Sequence, residues 1–65
     1  MRIDSIKVKL MLAEQEMTQT NLAVKSGISR QNISTILLRG TCSAVTAGKL
    51  AKALGVHARE IIKEE

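Results

Sequence analysis

The sequence predicts an all-α fold, a compact bundle of about five short helices. Three observations predict it. Gly27, Gly40 and Gly55 each close a run of helix-compatible residues, and glycine suits the left-handed position that ends a helix. Thr18, Ser29 and Ser43 stand just before three such runs, where a hydroxyl can accept from a free backbone N–H. Strand signals are poor, with no sustained alternation and no Asn-Gly or Asp-Gly turn, and there is no proline to break a helix.

The elements follow in order. The first helix is expected from Asp4 to Gln15, capped by Asp4 or Ser5. It has two apolar stripes, one of Val8, Met11, Leu12 and Gln15 and one of Ile3, Ile6, Leu10 and Ala13, and only one is needed for a core. The second helix runs from Gln19 to Ser26 behind the Thr18 cap. The third runs from Arg30 to about Leu38 behind Ser29 and ends at Arg39-Gly40. The fourth runs from Ala44 to Leu54 behind Ser43. A short fifth is expected from about Ala58 to Lys63, with His57 as a weak cap. Residues 1–65 are expected to form a single domain.

Composition narrows the function. The 65 residues are 45% hydrophobic, enough for a core and too many for a disordered tail. One cysteine, Cys42, permits no disulfide framework, and one histidine, His57, leaves little for catalysis, so an enzyme is not expected. Neither residue has the neighbours a zinc site or a nucleophile pair needs, and no metal or cofactor is implied. Cys42 is read as a small, partly buried loop residue. No apolar run approaches a membrane span, and Asp4, Lys7 and Lys9 interrupt any signal-peptide core, so a cytoplasmic protein with no membrane partner is expected. Aromatic residues are absent, which removes base stacking and weakens single-stranded and RNA-loop readings.

The net charge is +4, and its distribution says more than the sum. All six acids (Asp4, Glu14, Glu16, Glu60, Glu64 and Glu65) lie in the outer parts of the chain. The 42 residues from Met17 to Ala58 hold Lys25, Arg30, Arg39, Lys49 and Lys52 and no acid, hence +5. Such a stretch favours a polyanionic partner.

Within it, Gln19, Ala23, Gly27 and Ile33 fall at offsets 1, 5, 9 and 15, with a cap before each helix. A small residue at 23 lets two helices cross closely, Gly27 makes the sharp turn, and Leu22, Ile28, Ile33 and Ile36 pack between the helices. This pattern resembles the Cro and phage-repressor (XRE-type, lambda repressor-like) family of helix-turn-helix domains, with the motif at about residues 19–38. Met17-Thr18-Gln19 looks like that family's Leu-Thr-Gln entry. Gly27-Ile28-Ser29-Arg30 and Ile33-Ser34 look like its turn and recognition helix, and Leu50-Ala51-Lys52-Ala53-Leu54-Gly55-Val56 like the end of its fourth helix. The resemblance spans roughly residues 6 to 62.

There are two departures. Where many relatives place a buried Arg–Glu pair, this chain has Leu12 and Leu37, so an apolar contact is expected instead, which is tolerable because a buried ion pair gains little over apolar packing of similar volume. The turn Leu38-Arg39-Gly40-Thr41-Cys42-Ser43 has one more residue before its glycine than the common pattern and lacks the usual proline. The resemblance therefore does not set the register of this loop's backbone contacts.

The resemblance implies that the third helix enters the major groove. Arg30, Gln31 and Thr35 then fall where relatives read bases: Arg suits guanine, Gln suits adenine, and a Thr methyl can touch thymine. A phosphate contact is the competing role for Arg30 and plain exposure for Thr35. Gln19, Ser29, Asn32, Arg39, Thr41 and Lys49 are the phosphate candidates, with solvent exposure expected for Lys25 and Lys52. The implied function is sequence-specific binding of double-stranded DNA by a small bacterial or phage transcriptional regulator, acting as a homodimer on a palindromic operator. There is no room for a sensor domain, so no small-molecule effector is expected. The alternative is a protein-interaction module, such as the antitoxin of a toxin–antitoxin pair.

Overall fold

The computed structural model describes residues 1–63; Glu64 and Glu65, two of the six acids, lie outside the described residues. Four α-helices follow one another: α1 (Ser5–Glu14), α2 (Gln19–Ser26), α3 (Arg30–Arg39) and α4 (Ala44–Leu54). The local signals act as their chemistry dictates. Asp4 caps α1 by accepting from the Lys7 N–H (3.1 Å). Thr18 accepts from Asn21 N–H (3.0 Å) while Asn21 Oδ1 accepts from Thr18 N–H (2.9 Å), a reciprocal cap that satisfies two end groups at once. Ser29 and Ser43 cap α3 and α4 through the N–H groups of Asn32 and Thr46.

The fifth helix is a correction. Only a single 3₁₀ turn, Ala58–Glu60, forms where a helix to Lys63 was expected. The cause is non-local: the Lys63 N–H donates to Arg2 O (2.8 Å) and Asp4 N–H to Ile61 O (2.8 Å), so the tail's backbone pairs with the N-terminal segment. That segment also pairs with the loop after α3, through Ile3 N–H to Gly40 O (2.7 Å) and Cys42 N–H to Met1 O (2.9 Å). Two antiparallel bridges result, Arg2 with Thr41 and Ile3 with Ile62. Residues 1–4 thus lie between the α3–α4 loop and the tail, which gives the unusual loop its register.

The core is a single cluster that takes Val8 and Leu12 from α1, Leu22 from α2, Ile33, Ile36 and Leu37 from α3, and Ala47, Leu50, Ala51 and Leu54 from α4. Leu12 and Leu37 are each only 6% exposed, and both belong to this cluster. Of the two stripes on α1, the one with Val8 and Leu12 is buried, and Met11 is half-buried beside them. Gln15 from that stripe is exposed but donates its amide to Leu54 O (2.8 Å). Ile3 does not belong to the second stripe: it precedes the helix and is buried in the bridge. Ile6, Leu10 and Ala13 remain exposed.

Candidate nucleic-acid interface

The turn between α2 and α3 is built by Ser26 and Gly27. Gly27 is left-handed (φ 74°), a conformation that a side chain disfavours, and its N–H donates to Ala23 O (3.0 Å). Ser26 Oγ accepts from the Ile28 N–H (3.2 Å) and so fixes the exit from the turn. Ile28 is buried, which pins the start of α3 to the core.

With Ile33, Ile36 and Leu37 inward, a helix of about 100° per residue turns Gln31, Thr35 and Leu38 outward. Arg30, Gln31 and Asn32 are exposed, and their side chains make no hydrogen bond or ion pair among the described residues. They keep their full donor capacity for a ligand. Thr35 is half-buried and its hydroxyl donates back to Gln31 O (3.0 Å), which leaves the methyl group as its main outward offering. Leu38 is 89% exposed on the same stripe. The helical pattern already turns it outward, yet no role follows from its residue type, and its place beside Gln31 and Thr35 is what marks it as a candidate.

The phosphate candidates divide into groups. Gln19, the first residue of α2, accepts through Oε1 from the Ser34 hydroxyl on α3 (2.9 Å). This joins the start of α2 to the exposed flank of α3 and leaves the Gln19 amide hydrogens for a ligand. Ser29 uses its oxygen as a cap and retains its hydroxyl hydrogen. The Gln19, Thr20, Arg30 and Gln31 backbone N–H groups have no partner among the described residues. Neither α2 nor α3 has an acid in its first turn, so the positive ends of both dipoles are uncompensated and suited to phosphate.

Arg39 and Thr41 line a cleft of about 380 Å³ at the other end of α3, together with Leu38, Asp4 and Lys63. Lys49 is not with them: it lines a groove between α2 and α4 with Lys25, Ser26 and Lys52. Cys42, in the loop beside Thr41, is half-buried, and burial pushes its thiol pKa up, which makes it less reactive. His57 is exposed, and its backbone N–H donates to the Glu60 carboxylate (2.9 Å).

Among the described residues no group of three or more His, Cys, Asp and Glu side chains is placed to hold a metal ion. Among them, too, no helix is long and apolar enough to cross a membrane. No curated protein and no solved structure matches the chain. The family model for the Cro/C1-type HTH DNA-binding domain matches residues 7–64, nearly the whole length. The capped helices, the glycine turn and the exposed third helix are the parts such a domain needs, and the chain belongs to the Cro/C1-type helix-turn-helix DNA-binding family.

Proposed function

We propose that this domain is a small transcriptional regulator of repressor type that reads double-stranded DNA through the major groove with α3. The observation that carries the reading is the outward stripe of α3. Gln31 stands exposed there, ahead of Thr35 and Leu38, and Arg30 stands exposed at the flank beside it, both with side chains that make no hydrogen bond or ion pair among the described residues. Gln31 offers the acceptor and donor pair that matches adenine N6/N7, and Arg30 the fork that matches guanine O6/N7. Thr35 and Leu38 supply apolar contact for thymine methyl groups.

Gln19, Ser29 and Asn32 hold the phosphates flanking the groove, aided by the open N-termini of α2 and α3. Arg39 and Thr41 grip the backbone beyond the far end of α3. Lys49 adds long-range attraction from the α2–α4 groove. One recognition helix reads only a few base pairs, so two copies on a palindrome, with half-sites about 34 Å apart, supply the specificity. The test is selection of preferred duplexes from a randomised pool. A palindromic motif that recurs across selected duplexes supports the reading, and recovery of sequences no different from the input pool contradicts it.

A further inference from the structure

The outer face of α1 carries a pattern that packing within the chain does not use. Ile6 and Leu10 are 72% and 58% exposed. At about 100° per residue, Leu10 stands opposite Val8 and Leu12, with Ile6 and Ala13 to one side and Lys7 and Glu14 to the other. Charge is graded along the same helix. Lys7 and Lys9 occupy its N-terminal half, while Glu14 and Glu16 stand at its C-terminal end. No acid lies in its first turn and no base in its last. This is the reverse of what a helix dipole favours, beyond the Asp4 cap. None of these four side chains makes an ion pair among the described residues.

An antiparallel partner helix relieves all of this together. We propose that two copies of the chain pair through α1, antiparallel, about a two-fold axis near Leu10. Each copy's lysine end then meets the other's glutamate end, and the opposed dipoles set each charged end beside a terminus of the attractive sign. Leu10 and Ile6 of both copies are covered. The contact is isologous, so it closes at two copies and does not propagate. A ten-residue helix is about 15 Å long, too short to bury the ~800 Å² per partner of a standard interface. The dimer is accordingly weak in solution and consolidates when both copies sit on one duplex. The inference gives a surface to the dimer of the regulator reading and rests on that reading for its use on DNA.

The experiment is sedimentation equilibrium over a wide concentration range, with binding to a duplex carrying a single half-site measured beside it. Leu10→Glu is expected to weaken self-association at least about tenfold. Lys7→Glu and Glu14→Lys each set like charges against one another at both ends of the interface and weaken it as well. The double variant Lys7→Glu/Glu14→Lys restores opposite charges and recovers part of the lost self-association, although each charged end now faces a partner helix terminus of its own sign. Half-site binding persists in every variant, because none of these residues belongs to the DNA surface or the core, and the melts of the charge variants match or exceed the parent's, because each new charge favours the α1 dipole. A wild type that remains monomeric, or a double variant no better than the singles, overturns the α1 pairing. Loss of half-site binding in the wild type overturns the DNA reading instead, and the sedimentation result still decides the pairing.

Discussion

Ser34 donates its hydroxyl to Gln19 Oε1 across the two helices of the motif, at 2.9 Å. The bond ties the start of α2 to the flank of α3, so the proposed phosphate contact and the proposed recognition helix are held in one register. It also orients Gln19, because the occupied carbonyl leaves the amide hydrogens as the free end.

Gln19→Ala is therefore expected to weaken binding to all duplexes about equally, since a phosphate contact is blind to base identity. Ser34→Ala frees Gln19 without removing it and should cost less, on the order of 0.5–1.5 kcal/mol, the worth of one hydrogen bond. Affinities for a preferred and a scrambled duplex check both variants. A change in the ratio of the two affinities contradicts the assignment.

Salt should weaken binding steeply. With about four phosphate contacts per half-site, a dimer releases counterions with a log–log slope on the order of −7. Titrations at several salt concentrations measure it directly. A flat response removes the role assigned to the acid-free stretch between Met17 and Ala58.

Leu12 and Leu37 both belong to the core cluster, and each is almost fully buried. Leu12→Arg alone should cost about 3–5 kcal/mol, because it leaves a charge buried without a partner. Adding Leu37→Glu should recover much of that loss. Chemical denaturation of both single variants and the double gives the coupling energy. Simple additivity of the two losses means the side chains do not face each other.

Glu16 has a positive φ of 53°, alone among the described non-glycine residues. It occupies the left-handed position that ends α1, where Glu16 N–H donates to Ala13 O (3.2 Å) and Met17 N–H to Leu12 O (2.8 Å). A side chain there is strained, so Glu16→Gly should stabilise the fold by about 0.5–1 kcal/mol, once the larger entropy of the unfolded glycine chain is subtracted. A thermal melt at matched concentration reports the sign.

The motif was legible because its signals are local. Thr18, Gly27 and Ser29 act on groups within four residues of themselves, and each does in the structure what its chemistry indicates. The tail was not legible. Ile61 and Ile62 carry a helix-compatible pattern, but their backbone partners lie at the other end of the described chain, at Asp4 and Ile3. No local pattern reports such a pairing. The same limit applies to the interface. The outward placement of Gln31 and the flank position of Arg30 follow from helix periodicity, whereas the tie from Gln19 to Ser34 and the separation of Lys49 from Arg39 depend on how the helices pack.

The central claim is that α3 reads bases through Arg30 and Gln31, and selected-site profiles of Arg30→Ala and Gln31→Ala, beside their thermal melts, test it most directly. Both side chains are exposed, so the melts should match the parent. Each variant should lose preference at its own base pair within the half-site, at a cost of about 1–3 kcal/mol, while preference elsewhere is kept. Profiles identical to the parent from variants with normal melts contradict the claim and move the reading toward a protein-interaction module.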